Sequence, residues 1–483
     1  MVPPPDDDHD CGWKAYAKAQ EEKLALAMAR LEALELQRRG HRSEKTKSSK
    51  LPPPIVAEPA DPQATKQRRA ERSALRDLRM ETEIEKVPVS TEACSCPKCG
   101  SDKLREVGDG KPSTLIEYVP GYFRRRIYLR QTLSCRCGHI VTAKPPERMG
   151  EKTRYATSFA AHLCVSKCSD SIPQYRLEKE YQRLGIPLSR STMCSLFHRA
   201  AKELKPLHAA ALALVPQSLD VHADETTIRQ AGREKKSFIW DFVTPELVVY
   251  VFAHTRSGSV PAKVLGDSTG RLVVDQHTGY NSVTKPGQRV RAGCMAHARR
   301  KIFEQKEHSE TQEALDLIGE IYAIEREVKR AGKTGTPEHL AVRKARSRPL
   351  FARLLLWGRR QRGQFDPKSG MGRAVGYLLR NRRALQQFLN YATIPPDNNK
   401  AEAGLRRIAV GRSNYLFVGN EEAGHDIAVI YTLVASCEKH GINPVSYLAD
   451  VLVRVQKHPA SQIQDLLPHR YRAPDAASPQ IRS

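Results

Sequence analysis

Hydrophobic positions recur along this chain with two different periods, and the places where the period changes divide it into segments. From Trp13 to Arg39 Ala, Glu, Lys and Leu dominate, and Leu24, Leu31 and Leu34 fall near heptad spacing. That pattern predicts a helix, and a short coiled coil and a charged solvent-exposed helix both fit a run of under four heptads. Residues 41–66 lose all period and read as a charged, Pro-rich linker. Helical spacing returns between Arg154 and about Leu214. A helix through Gln174 to Leu184 is stopped by Gly185-Ile186-Pro187, and Ser189 or Ser191 can cap the next one through Leu204. A helix-turn-helix for a DNA major groove has this signature, and so do unrelated helical hairpins.

The period then switches to two. Leu219 to Ile228 alternates as a strand, and Ser237 to Val243 and Leu247 to Ala253 read as a hairpin around Thr244-Pro245-Glu246. A short helix near Val260 to Leu265 follows, then strands at Arg271 to Asp275 and Val290 to Cys294. A long helical section runs from about His297 to Tyr391, and a helix from Asn398 to Val410 has Asp397 placed to cap it. Strand, hairpin, helix, strand, strand, helices is the element order of a ribonuclease-H-like domain. The expected fold class is therefore multidomain α+β, a mixed sheet with helices and an α-helical insertion. Its expected parts are a disordered 1–12, a leucine-zipper-like helix over 13–45, and a partly helical linker over 46–89. A zinc-finger-like module over 90–145 and a helical region over 150–215 come next. The core spans 216–425 with its insertion at about 300–370, followed by helices over 426–470 and a disordered tail over 471–483.

Charge narrows the partner. Lys and Arg total 79 against 54 acidic residues, a formal net charge of +25. Such an excess calls for a polyanion, because each cation set against a phosphate releases condensed counterions. No stretch reads as a membrane-spanning helix or signal peptide, so nucleic acid is the expected polyanion. Six Arg or Lys stand between Arg289 and Lys306 against the single acid Glu304. Arg299, Arg300 and Lys301 are therefore candidate DNA contacts, as are Arg406, Arg407 and Arg412; a solvated helical face explains the first three equally well.

Phosphodiester chemistry needs charge neutralised on the attacking and leaving oxygens together, which two Mg²⁺ (or Mn²⁺) ions roughly 3.5–4 Å apart can do. The carboxylates that hold such ions belong at the ends of converging elements. Asp224 sits where an apolar strand gives way to Glu225-Thr226-Thr227, Asp275 ends Leu272-Val273-Val274, and Glu402 lies just inside a helix with Arg406 one turn on. They are separated by 51 and 127 residues, and the second gap demands an inserted domain. Glu225 is the rival ligand, but its side chain points to the opposite face of the strand from that of Asp224. Asn398 and Asn399 can position the helix or touch DNA.

Five of the eleven cysteines crowd one region. Cys96-Pro97-Lys98-Cys99-Gly100 forms a zinc-knuckle turn, and Cys135-Arg136-Cys137-Gly138 supplies a second pair 36 residues on. Four thiolates at about 2.3 Å make a closed structural Zn²⁺ site, with Cys94 and His139 as rival ligands. Cys294-x-x-His297 has no evident metal partners and reads as packing.

The segments VHADETT (221–227), LVVDQHTGYN (272–281), GCMAHARRKIF (293–303), PPDNNKAEAGLRRIAVGRSNYLFVGNEEAG (395–424) and HGINPVSYLADVL (440–452) together resemble transposases of the insertion-sequence-sixty-six group, of the TnpC type. RRGHRSEK (38–45) and VSKCSDSIPQYRLEKEYQRLGIPLSRST (165–192) extend the resemblance to residues 20–470. Gln276-His277 and Met295 depart from the family's usual residues. The resemblance implies a DDE transposase with Asp224, Asp275 and Glu402 as the catalytic acids, and a zinc-finger-like domain at the cysteines. It also implies DNA partners (terminal repeats and target), a homodimer or higher multimer, accessory proteins of the element, and a bacterial cytoplasmic setting. A catalytically silent DNA-binding regulator and a ribonuclease-H-like nuclease are the alternatives.

Overall fold

The computed structural model describes residues 153–473 without interruption, residues 148–150, and scattered positions between 63 and 142. The expected N-terminal helix, most of the linker, the four zinc cysteines and the last ten residues lie outside the described residues. The elements below belong to the second of two compact units, Met1–Glu117 and Tyr118–Ser483.

A small antiparallel pair, β1 (Thr132–Ser134) and β2 (Ile140–Thr142), opens this unit. Three helices follow: α1 (Thr157–Cys168), α2 (Gln174–Arg183) and α3 (Arg190–Leu214). Gly185 makes the α2–α3 turn at φ +75°, and the Ser189 hydroxyl caps α3 by accepting from the Thr192 amide.

The centre is a five-stranded mixed sheet ordered β5-β4-β3-β6-β7. Its strands are β3 (Asp220–Ile228), β4 (Ser237–Val243), β5 (Val248–Ala253), β6 (Arg271–Val273) and β7 (Val290–Ala292). The first three form an antiparallel meander, while β6 and β7 add in parallel. Helix α4 (Ser259–Leu265) makes the crossover that parallel pairing requires. This α+β arrangement is compatible with a ribonuclease-H-like core.

Both faces of the sheet are buried, and β6 shows how. Leu272 and Val274 pack into one hydrophobic cluster and the intervening Val273 into another, as alternation along a strand dictates. The first cluster gathers α1–α3 with α11 (Asn399–Tyr415), α12 (Glu421–Lys439) and α13 (Pro444–Arg454). The helices before the sheet thus share one core with it. The second cluster belongs to helices between β7 and α11: α5 (Met295–Phe303), α6 (Thr311–Arg330), α8 (Arg348–Arg362), α9 (Gly370–Arg380) and α10 (Arg382–Leu385), with the short α7 (Pro337–Val342) lying between α6 and α8 in the chain. Trp357 is fully buried at its heart.

One buried cation ties this insertion to the segment leading into α11. The Arg343 guanidinium, 1% exposed, pairs with Glu325 at 2.6 Å and donates to the carbonyls of Phe388, Tyr391, Ala392 and Ile394. The guanidinium's fork divides the work: Nε and Nη2 grip the Glu325 carboxylate, while Nη1 is shared among the four carbonyls.

Candidate active site

Asp224 sits in β3 directly opposite Asp241 of β4, so both carboxyls project from one face of the sheet. Helix α11 packs across that face and brings Glu402 from its first turn. Asp275 follows β6, the strand beside β3, its carboxylate accepting from the His277 amide at 2.8 Å and its carbonyl from Arg291 at 2.6 Å. The strand ends at Val273, two residues before the expected end, which leaves Asp275 in the loop that turns away from the sheet.

The other two acids, far from Asp224 in sequence, both bear on it in space. Burial, and after it the charges of Glu225, Asp275 and Glu402, push the Asp224 carboxyl up to about 7, against the Glu225 amide hydrogen bond that lowers it. Glu402 Oε1 is buried with no hydrogen-bond partner, and His297 Nδ1, equally unpartnered, lies 3.7 Å away. Crowded carboxylates with unsatisfied buried oxygens suit a hard cation, whose charge would relieve both the repulsion and the missing partner.

Glu402 is positioned by its neighbours. The fully buried Asn398 donates from Nδ2 to the Ala223 carbonyl at 2.9 Å and bonds through Oδ1 to His222 Nδ1 at 3.2 Å; its amide donates to Cys294 Sγ at 3.3 Å. Burial, aided by the Lys400 charge, pushes the His222 imidazole down to about 3, so it serves this bond uncharged. Asn398 therefore holds the helix start rather than facing DNA. Asp397 does cap the helix as expected of it, but from one residue further out: its Oδ1 accepts from the Asn399 amide at 3.1 Å. The Cys294–His297 motif lies against the same helix, its ligand atoms and a Glu402 oxygen within 4.8 Å of one another. Burial pushes the Cys294 thiol up to about 11, which disfavours the thiolate a metal would need.

Two residues here stand in places that the sequence reading did not assign to them. Asp241 is fully buried, accepts from the Asp224 amide through Oδ1 at 3.1 Å, and leaves Oδ2 without a partner. Burial drives its carboxyl far above the ordinary range, and the neighbouring Asp224 charge adds to that. Gly404 of α11 passes so close that a Cβ would collide with Asp241 Oδ2, which explains a glycine two residues after Glu402. His297, read with Cys294 as a packing motif, is the other; for Asp241 the available signal was an acid inside the apolar run of residues 238–243.

The expected DNA contacts divide. Arg300, Lys301 and Arg406 are exposed and Arg299 is half-buried. Arg407 instead turns inward to Glu438 at 2.8 Å, and Arg412 donates to Thr226 Oγ1 at 2.8 Å and to the Thr227 carbonyl, binding α11 to the end of β3. Their charges are engaged within the fold. Cys96, Cys99, Cys135 and Cys137 lie outside the described residues.

The five-stranded mixed sheet with helices on both faces is an α+β core compatible with the ribonuclease-H type. The Transposase IS66 family model matches residues 152–426 and the IS66 C-terminal element matches residues 432–469, and the chain belongs to this transposase family. Three relatives come from Sinorhizobium fredii (strain NBRC 101917 / NGR234). Uncharacterized protein y4jD is 29% identical over 80% of either chain. Uncharacterized protein y4hP is 28% identical over 93% of this chain and 89% of its own. Uncharacterized protein y4qI is 30% identical over 75% and 71%. Among the described residues no helix is long and apolar enough to cross a membrane.

Proposed function

We propose that this transposase cleaves DNA at the ends of its insertion sequence and joins the freed 3′-hydroxyl to target DNA, with Asp224, Asp275 and Glu402 as the catalytic acids. These three carboxylates would hold two divalent cations, Mg²⁺ or Mn²⁺. Bound there, the cations would supply the positive charge that the attacking and leaving oxygens of the phosphodiester require. The observation that carries the reading is that the charges at positions 275 and 402 both bear on the Asp224 carboxyl, together with the unpartnered oxygen of Glu402.

The protein's own part is placement. Asn398 and Arg412 fix the helix bearing Glu402 against the strand bearing Asp224, and Asp241 anchors the Asp224 backbone from beneath. Glu225 lies apart from the cluster's work: its carboxylate is spent on Arg256 at 2.6 Å and on the Tyr280 hydroxyl at 2.7 Å. Arg299, Arg300, Lys301 and Arg406 would meet phosphates along the approaching strand. A structural Zn²⁺ at Cys96, Cys99, Cys135 and Cys137 belongs to the same reading, supported by the antiparallel strands β1 and β2 on either side of residues 135–139. Dimerisation on paired ends completes it.

The test is incubation of purified protein with Mg²⁺ and DNA carrying the terminal repeats, wild type beside Asp275→Asn. Wild type should cut and join while the variant does neither; equal cleavage by the two would remove the proposed mechanism.

A further inference from the structure

A second site adjoins the acids. Between α5 and α11 lies a pocket of about 320 Å³, lined by Arg299, Arg300, Phe303, Tyr322, Asp397 and Asn399. Its place is set by two helical turns: Asn399 is three residues before Glu402, and Arg300 three after His297, which faces Glu402 at 3.7 Å. The pocket therefore opens one turn of helix from the catalytic acids. That volume is at the low end for a small-ligand site and suits a single nucleoside.

Its chemistry matches its size. Phe303 is 37% exposed, an unusual position for a large apolar ring, with the Arg299 guanidinium 5.7 Å and the Lys306 ammonium 5.3 Å from its centroid. An accessible aromatic ring amid cations is the arrangement that holds an unpaired base, the ring by stacking and the cations by the adjoining phosphate. Neither Arg299 nor Arg300 has an ion-pair partner among the described residues, whereas Arg343, Arg407 and Arg412 are all engaged inside the fold. Tyr322 presents its hydroxyl beside Asp397, where burial and that carboxylate together raise it, so it remains a hydrogen-bond donor. Asn399 adds an exposed amide at the rim.

We propose that this pocket receives one unpaired nucleotide of the DNA strand next to the scissile phosphate, its base stacked on Phe303 and its phosphate held by Arg299 and Arg300. The proposal rests on the reading of Asp224, Asp275 and Glu402 as the cleavage site, and specifies how the strand is threaded past them.

The experiment is a binding cycle in the Asp275→Asn background, so that no turnover interferes. Full-length protein is titrated with duplex bearing the terminal repeat and a short single-stranded extension past its end. Phe303→Ala should weaken binding about 5- to 100-fold, the range of one base–aromatic stack, and Phe303→Tyr should restore most of it. Replacing a single nucleotide beside the cut by an abasic unit should make Phe303→Ala and its parent equal, and abasic units elsewhere should not. Arg300→Gln should lower the slope of log affinity against log salt by about one. Equal binding of the intact DNA by Phe303→Ala and its parent, or a loss that survives every abasic placement, overturns the proposal. Because the readout is affinity, it stands or falls separately from whether wild type cleaves.

Discussion

Asp224 and Glu225 are neighbours on one strand, and their surroundings are opposites. Glu225 is fully buried, and both its oxygens are taken up by Arg256 and Tyr280. Asp224 is pushed up by burial and by other carboxylates, and across the sheet and along α11 the oxygens of Asp241 and Glu402 lack partners. Arg343 repeats the first pattern in the insertion, saturated by Glu325 and four carbonyls. A charge that serves the fold is completed by the fold, because an unpaired buried charge costs several kcal/mol. A charge left incomplete at such cost waits for something from outside.

The contrast can be broken experimentally, most sharply at the acids. Asp224→Asn, Asp275→Asn and Glu402→Gln should each lower Mg²⁺-dependent cleavage by about 10³-fold or more, since several kcal/mol of transition-state stabilisation is removed. Their melting temperatures should stay level or rise, because each change relieves repulsion; a marked fall on thermal denaturation would class these acids with the scaffold. Arg343→Ala should behave in the reverse manner. It strands Glu325 and four carbonyls and should cost about 3–5 kcal/mol in a denaturant titration. A stability loss under 1 kcal/mol would show that the insertion does not depend on that cation.

Glu225→Gln, which keeps the shape but removes the charge facing Arg256, should cost about 1–3 kcal/mol of stability. Cleavage by the protein that remains folded should be largely retained, and a loss as deep as that of Asp224→Asn would make Glu225 a ligand. The smallest effect is expected at Asp241. Asp241→Asn retains an acceptor for the Asp224 amide and should shift stability by less than about 1 kcal/mol. Asp241→Leu removes that acceptor and should cost about 1–3 kcal/mol, with cleavage falling alongside as Asp224 loses its anchor. Identical melting curves for the two variants would show that the hydrogen bond plays no part.

Much of the fold was legible because its signals are local. The strand Ser237–Val243 lies where alternation places it, and β3, β5 and α4 begin within a residue of expectation. Helix α11 begins at Asn399 but runs to Tyr415, five residues past its expected end, with Arg412 bonded to Thr226 and Thr227 and the Tyr415 hydroxyl to that of Tyr431. The cysteine pairs and the N-terminal heptads are equally local signals, but they fall outside the described residues. Arg407 and Arg412 show the other limit. In sequence they are cations beside Glu402, like Arg406, and only the helix's rotation against β3 and α12 sends two of them inward.

By itself, then, the chain's order of residues determined the elements, their sequence and the three acids worth watching, because periodicity and strand ends are written over a few neighbouring positions. The tertiary structure alone decided which acid is completed and which is not. It also decided that a fourth carboxyl lies beneath Asp224, and that a ring, two guanidiniums and an amide meet in one pocket. Those depend on where distant segments cross, and a side chain's partners across a sheet or between helices leave no trace in its own neighbourhood of sequence.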